Sequence, residues 1–196
     1  MGVLIAVALG TGLLIDRALK PSVPAALANC ETSPQIASRQ FMAPQPICIT
    51  ASQKLEATVT TSQGSFVVLL HPEVAPVTVN NFVVLATHGY YNGLAFWKSE
   101  DWVLQGGDPG ADGRGGPGYS LPDEPGTTAW GLGAVGMARV PGGAVNGSQF
   151  FVQKGAWPDP GPNAVYNRFG TVTSGMSVVQ SLATTDSITS ITIKVS

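Results

Sequence analysis

The stretch from Leu55 to Leu70 reads LEATVTTSQGSFVVLL, and it decides the fold class. Leu55, Ala57 and Val59 alternate with polar residues, and apolar residues alternate again from Phe66 onwards, after the turn sequence Ser-Gln-Gly. Side chains of a strand point alternately to opposite faces, so this pattern predicts an antiparallel β-hairpin with one buried face. We therefore expect a fold built on a β-sheet.

Two helical patterns and a final strand follow the hairpin. Pro76 suits a first helical turn, and apolar residues recur at helical spacing from Val79 until Gly89. A second helical pattern begins at Met176, and residues 191–195 alternate as a strand. Strands at both ends with helices between them predict a closed or nearly closed β-structure whose openings the helices cover.

Composition limits the classes of function. The 196 residues suit one domain of ordinary size, and 44% hydrophobic residues supply its core. A formal net charge of −2 leaves no basic surface large enough for a polyanion, so we expect no nucleic-acid partner. Two cysteines and two histidines without metal-ligand spacing predict no metal site.

The N-terminal region predicts a location outside the cytoplasm. Residues 2–15 are an uncharged apolar run, which is too short for a spanning helix of about 20 residues. We assign residues 1–20 to an apolar leader, either a secretory h-region or part of a signal anchor that begins upstream. The protein is then extracytoplasmic, either membrane-anchored or secreted. The alternative is an N-terminal core element of a cytosolic protein.

A proline-rich arm, residues 21–50, follows the leader and shows little apolar periodicity. It is expected to lie extended on the surface of a domain that spans residues 51–196. Cys30 and Cys48 could close a disulfide loop that pins the arm in an oxidising compartment. Two free thiols are the alternative.

Two polar motifs predict nothing beyond loops. Gly113–Gly118 matches G-x-G-x-x-G formally, but Pro117 and the sequence after it cannot open a phosphate-binding helix, so we expect no nucleotide cofactor. Asp123 and Glu124 are adjacent carboxylates, and neighbours in an extended chain point to different sides. They are expected to be solvated loop charges.

A series of ordered phrases over residues 55–196 resembles the cyclophilins. The successive phrases are APVTVNNF (75–82), GYYNG (89–93), QGGDP (105–109), GGPGY (115–119), DE (123–124), GMA (136–138), NGSQFF (146–151), FG (169–170) and GM (175–176). The resemblance implies a peptidyl-prolyl cis/trans isomerase without a cofactor. It also implies a closed eight-stranded antiparallel β-barrel capped by two α-helices, with a proline-binding groove on one outer face.

The same resemblance implies the site residues, which we expect to converge on one groove. The catalytic pair would be Lys98 and Gln105. Trp157 is the candidate for the family's rim tryptophan, next to the insert 158–163. The substrate-binding residues would be Phe96, Trp102, Val103, Ala138, Arg139, Gln149, Phe151 and Tyr166.

The chief departure from the family lies at Phe96-Trp97-Lys98, where cyclophilins have Phe-His-Arg. A lysine can donate a hydrogen bond, but it lacks the planar fork of arginine. We therefore expect weakened catalysis, with Arg139 as the alternative cation. The connection at 99–101 is about one residue shorter than in the family, and that at 141–145 is about one longer, which reshapes two rims of the groove.

Two functions remain open at this point. The first is an active isomerase, expected to be a monomer, that assists the folding of exported, proline-containing polypeptides as a chaperone does. The second is a proline-peptide-binding or scaffolding module that is catalytically weak. An unrelated secreted β-domain is a third, more distant alternative.

Overall fold

The described part of the chain is residues 23–139, 142–158 and 166–196 of a computed structural model. The predicted leader, residues 1–20, lies outside these residues, as does most of the insert next to Trp157. Within the described ranges, no helix has the length and apolar character required to cross a membrane.

The predicted hairpin, both helices and the final strand are confirmed. The hairpin pairs β3 (Leu55–Thr61) with β4 (Gly64–Leu70), and its alternate side chains from Leu55 to Leu70 are buried. The helices are α1 (Pro76–Thr87) and α2 (Met176–Ser181), and the last strand is β11 (Ile188–Val195). The strands bury one regular face each, whereas α1 is buried on all sides from Thr78 to Ala86.

The remaining strands complete one curled antiparallel sheet. They are β5 (Lys98–Glu100), β6 (Val103–Gly106), β7 (Ser120–Leu121), β8 (Ala134–Arg139), β9 (Val145–Gln153) and β10 (Arg168–Ser174). The strand order is β11-β3-β4-β10-β8-β9-β6-β5, and β7 pairs with β9 off this path. The sheet therefore places β6, β8 and β9 side by side, and these strands form the site described below.

The prediction of a closed barrel is wrong in one respect, because the sheet is open between β5 and β11. Among the described residues, only an isolated bridge between Ala95 and Ser187 crosses this gap. The chain just before β5 makes the neighbouring bonds instead, with Phe96 N donating to Asp186 O at 3.0 Å. Since β5 has only three residues and already pairs with β6, no continuous ladder closes the barrel.

The main core lies between the concave side of the sheet and α1. Its centre is a group of buried rings in which Phe82 contacts Phe169 at 5.1 Å and Tyr91 at 5.2 Å, between ring centroids. Phe150 of β9 meets Phe82 and Tyr91 edge to face. Such contacts anchor α1 against the sheet.

Helix α1 is capped from a distant part of the chain. Its own N-cap residue makes no capping bond through a side chain. The Glu124 carboxylate accepts instead from Val77 N at 2.9 Å and Thr78 N at 2.8 Å. A carboxylate at this position satisfies free N–H groups and complements the helix dipole. The prediction that Glu124 is a solvated loop charge is therefore wrong, whereas Asp123 is 60% exposed.

The arm forms a short hairpin of β1 (Gln35–Ala37) and β2 (Gln40–Phe41). A disulfide joins Cys30 to Cys48, in agreement with the first of the two alternatives above. The arm does not lie wholly on the surface, because Leu27 and Phe41 are buried in the main core. Leu27 and Phe41 lie 14 positions apart in the sequence, so no local periodicity marks them as a pair.

Candidate active site

A groove of about 630 Å³ lies on the outer face of the sheet, beside β5, β6, β8 and β9. With the exception of Phe96, the structure places every predicted site residue in its lining. These residues are Lys98, Trp102, Val103, Gln105, Ala138, Arg139, Gln149, Phe151 and Tyr166. The lining also contains Trp157.

Phe96 does not line the groove, so its assignment as a wall residue is wrong. The side chain is fully buried in the main core, with its ring against Gly106. The next residue, Trp97, lines the groove instead.

Strand register explains why the predicted residues converge. Lys98 of β5 lies opposite Gln105 of β6, Gln105 lies opposite Phe151 of β9, and Phe151 lies opposite Gly136 of β8. Directly paired residues share one face of a sheet. The four residues thus form a row across four strands, with the cation at one end and the aromatic ring near the other.

Gly136 makes room for the aromatic side of this row. A Cβ atom there would lie 2.6 Å from the Trp130 ring and 2.8 Å from the Phe151 ring. Trp130 stacks on Phe151 with 5.4 Å between centroids, and Tyr166 meets the same ring edge-on at 5.3 Å. Trp157 completes the group at 5.7 Å from Phe151. We call these four residues, together with Trp102 at 4.8 Å from Trp157, the aromatic wall.

The amide of Gln149 is held at both ends. Its Oε1 accepts from Trp97 Nε1 and from Gln105 Nε2, each at 3.1 Å. Its Nε2 donates to the Gly115 carbonyl oxygen at 2.7 Å. These bonds fix which end of the amide is the oxygen, and they orient Gln105 through its own Nε2.

Lys98 lies in a small cluster with Glu100 and Trp102. Its Nζ is 3.2 Å from Glu100 Oε1 and 5.2 Å from the centroid of the Trp102 ring. Trp102 Nε1 in turn donates to Glu100 Oε2 at 2.7 Å. The Lys98 and Glu100 side chains are 31% and 49% exposed, so water screens the pair and its net attraction is small.

Two further cations line the groove within the described residues. Arg139 pairs with Asp123 at 2.8 Å and donates from Nε to the Gly143 carbonyl oxygen at 2.9 Å. Arg114 lies in the loop before β7. The arrangement therefore combines three kinds of groups. They are an apolar floor formed by Val103 and Phe151, the oriented amides of Gln105 and Gln149, and three cationic side chains. Among the described residues, no group of three or more acidic, histidine or cysteine side chains could hold a metal ion.

Sequence reasoning did not assign several residues to the site, among them Trp97, Arg114 and Asn146 of the lining and Trp130 of the aromatic wall. Trp97 could have been recognised, because it replaces histidine in the very motif that was compared. Asn146 begins the compared phrase NGSQFF and could have been recognised in the same way, whereas Trp130 and Arg114 lie in glycine-rich segments without periodicity. They reach the site only through loop geometry.

Comparisons with known proteins point to one family. Residues 56–195 match the sequence model of the family described as cyclophilin type peptidyl-prolyl cis-trans isomerase/CLD. A peptidyl-prolyl cis-trans isomerase-like 1 of Rhizopus delemar is 40% identical over 135 residues, which are 66% of this chain and 80% of the relative. Peptidyl-prolyl cis-trans isomerase B of Bacillus subtilis is 42% identical over 122 residues, which are 60% and 82% of the two chains.

Solved structures show the same fold. A cyclophilin type isomerase of Cryptosporidium parvum superposes with a TM-score of 0.64 at 26% identity, covering 72% of this chain and 98% of that one. The structure of the same protein in the presence of the dipeptide Ala-Pro also has a TM-score of 0.64, at 27% identity, covering 71% and 98%. The chain therefore belongs to the cyclophilin-type peptidyl-prolyl cis-trans isomerase family.

Proposed function

We propose that this isomerase assists the folding of exported polypeptides by stabilising the twisted Xaa-Pro amide in the groove, with an efficiency that Lys98 limits. The single observation that carries the proposal is the row from Lys98 through Gln105 to Phe151. This row places a cationic donor and an amide beside an apolar floor, which are the groups that the reaction requires.

The physical task is to lower the barrier to rotation about the prolyl bond. The barrier is about 18–20 kcal/mol because the amide loses resonance when it is twisted, and rotation unaided takes tens of seconds or longer. No covalent bond is made or broken. A catalyst must therefore bind the twisted amide more tightly than either planar isomer.

The aromatic wall supplies an apolar surface for the proline ring. Phe151 is 3% exposed, and Val103 at 2% lies in the same cluster. The partly buried rings that pack on them supply the exposed apolar surface, so a proline ring placed there leaves water, and this favours binding in both planar and twisted states. The related Cryptosporidium protein was crystallised in the presence of Ala-Pro, which supports a prolyl ligand for this surface as well.

Lys98 is the donor that would act in the twisted state alone. As the amide twists, its nitrogen becomes pyramidal and gains a lone pair that can accept a hydrogen bond, so a donor aimed there favours the transition state. The Lys98 ammonium would exchange its screened contact with Glu100 for this nitrogen. Lysine offers a flexible point charge instead of arginine's planar fork, so we expect slower catalysis than arginine would give.

The export part of the proposal depends on the N-terminal region. A disulfide between Cys30 and Cys48 persists in oxidising compartments and is uncommon in the cytosol. The apolar run at residues 2–15 agrees with passage through a membrane, or with anchoring in one.

One observation favours the second function, a catalytically weak binding module. In this structure the only cation in the row, Lys98, is engaged by Glu100 and Trp102. If that cluster is more stable than contact with substrate, the groove binds proline without accelerating rotation.

Exchange NMR on a short Xaa-Pro peptide distinguishes these functions. Cis and trans peptide signals are recorded with the mature protein and with Lys98→Arg as the matched variant. We expect exchange well above the uncatalysed rate, and faster exchange with Lys98→Arg. Chemical-shift changes without added exchange would favour the binding module. If the peptide shows neither added exchange nor chemical-shift changes, both functions are contradicted.

A further inference from the structure

The segment from Gly115 to Tyr119 lies between the arm and the groove. On the groove side, the Gly115 carbonyl oxygen accepts from Gln149 Nε2 at 2.7 Å and from Asn146 Nδ2 at 3.0 Å. This carbonyl is the partner that fixes the donating end of the Gln149 amide. Where the segment sits therefore determines where that amide points.

The arm holds the other side of the segment. Gln40 Nε2 donates to the Gly116 carbonyl oxygen at 2.7 Å, and Phe41 N donates to the Pro117 carbonyl oxygen at 2.9 Å. Gly118 has a φ of +94°, and a Cβ atom there would lie 2.9 Å from the Phe41 carbonyl oxygen. The segment is thus shaped for close contact with the hairpin of the arm.

A second path of hydrogen bonds runs from the arm to β9. Gln45 Nε2 donates to the Tyr119 hydroxyl at 3.0 Å, and this hydroxyl donates to Asn81 Oδ1 at 2.6 Å. Asn81 Nδ2 then donates to the Gly147 carbonyl oxygen at 2.7 Å. Gly147 precedes Gln149 by two residues on the same strand, so the arm reaches the strand of Gln149 as well as its amide.

The arm itself is fastened to the domain at several points. Phe41 is buried in the main core, and the disulfide closes the loop between residues 30 and 48. Arg39 donates from Nε to the Tyr90 carbonyl oxygen at 2.9 Å and from its guanidinium to the Asn92 carbonyl oxygen at 2.6 Å. A segment held in this way can transmit a fixed geometry to the loop that it contacts.

We propose that the arm is a positioning element of the active site: Gln40 and Gln45 hold the segment 115–119, and this segment orients the Gln149 amide toward the substrate backbone. Gln40 and Gln45 are positioning residues, since they act through the segment and do not line the groove. The inference rests on the proposed function in one respect, namely that Gln149 binds the substrate backbone.

The test compares two glutamines of the same arm hairpin. Gln40→Ala removes the bond to Gly116, whereas Gln35→Ala removes only a bond within the arm, from Gln35 Nε2 to the Ala37 carbonyl oxygen. With ¹⁵N-labelled protein, the side-chain amide signals of Gln149 are identified by their loss in Gln149→Ala. We expect Gln40→Ala to shift these signals and Gln35→Ala to leave them in place.

Isomerase kinetics supply the functional readout. Gln40→Ala, which loses one neutral hydrogen bond to the Gly116 carbonyl oxygen, should lower kcat/KM about two- to tenfold. Most of this loss should appear as a raised KM, and Gln35→Ala should behave as the unaltered protein. The double variant Cys30→Ser/Cys48→Ser, assayed well below its Tm, should change the Gln149 signals in the same direction as Gln40→Ala, because it loosens the same arm.

Each other outcome has a definite meaning. Unshifted Gln149 signals in Gln40→Ala overturn the inference whatever the kinetics show, and shifted signals with unchanged KM overturn the functional part of it. An equal effect of Gln35→Ala shows general loosening of the arm and also contradicts it. If the unaltered protein neither isomerises nor binds the peptide, the proposed function fails, while the amide signals still decide whether the arm positions Gln149.

Discussion

Phe150 and Phe151 are neighbours on β9, yet they belong to two different aromatic clusters. Phe150 lies in the main core, where Phe82 and Tyr91 enclose it. Phe151 lies in the aromatic wall on the opposite face, where its partners include Trp130 and Tyr166. Both rings are nearly inaccessible, at 2% and 3% exposure.

The clusters differ in what surrounds the buried rings. The ring partners of Phe150, Phe82 and Tyr91, are themselves fully buried, so no surface is free beside it. Neighbours of Phe151 are only half-buried, and with them it borders a groove of about 630 Å³. The same residue type therefore supports stability on one face of β9 and offers a binding surface on the other. Four experiments test how separate these two roles are.

The largest expected effect separates the two phenylalanines. Phe150→Ala should lower the free energy of unfolding by about 3–5 kcal/mol, because a cavity remains in a rigid core. Phe151→Ala should cost less stability, since the exposed rings beside it can move into the space. It should nevertheless weaken binding of a prolyl peptide about tenfold, because the partly buried rings that border the groove lose the ring on which they pack. Urea denaturation and peptide titration measure the two effects, and equal losses of affinity would contradict the separation.

The second experiment changes function without stability. Lys98→Ala should lower kcat/KM by about ten- to a hundredfold, since one charged hydrogen bond contributes about 1.5–3 kcal/mol to the twisted state. Peptide affinity and the free energy of unfolding should be nearly unchanged, because the ion pair with Glu100 is exposed to water. Lys98→Arg should raise kcat/KM above that of the unaltered protein.

Arg139 is the alternative to Lys98 as the catalytic cation, and its variant can contradict this prediction. It pairs with Asp123 and also borders the groove. If Lys98→Ala leaves the kinetics unchanged while Arg139→Ala abolishes activity, the catalytic cation is Arg139.

The third experiment concerns a single hydrogen bond of the groove. Trp97→Phe keeps an aromatic ring near Gly113 but removes the donor to Gln149 Oε1. We expect KM to rise about two- to tenfold, as for one lost neutral hydrogen bond of about 0.5–1.5 kcal/mol. Trp97→His restores a ring N–H and should recover part of the loss. Equal kinetics for both variants would show that the ring matters and the bond does not.

The smallest effect concerns stability, at a carboxyl group that does not line the groove. Hydrogen bonds from Ser62 Oγ, the backbone N–H of Ala183 and Gln63 Nε2 lower the pKa of Asp186 below its ordinary value. A carboxyl whose pKa is lower in the folded state stabilises the protein above the unfolded pKa of about 4, and this contribution is lost as pH falls through the folded value.

Asp186→Asn should therefore flatten the acid limb of the stability curve and leave peptide affinity at neutral pH unchanged. Urea midpoints between about pH 2 and pH 7 measure the first effect, on the assumption of two-state unfolding. If stability still falls steeply at acid pH in Asp186→Asn, other carboxyl groups cause the fall.

Several elements could be predicted from local pattern. The hairpin of β3 and β4 and the strand β11 follow from alternation, because burial of one face requires that pattern locally, and the helices α1 and α2 follow from helical spacing and from Pro76 and Gly89 at the ends of α1. The site residues other than Phe96 followed from resemblance of motifs, which preserves the order of residues along the chain. That order does not state which side chains face each other.

Only the tertiary structure decided the contacts between distant segments. The gap between β5 and β11 depends on which strands remain unpaired, and the cap of Glu124 on α1 joins residues 46 positions apart. The orientation of the Gln149 amide depends on Trp97 and Gly115, which come from two other segments. The gap, the helix cap and the amide orientation each depend on angles and distances between separate parts of the backbone. Periodicity of the sequence does not encode these angles and distances, because the partners share no local pattern.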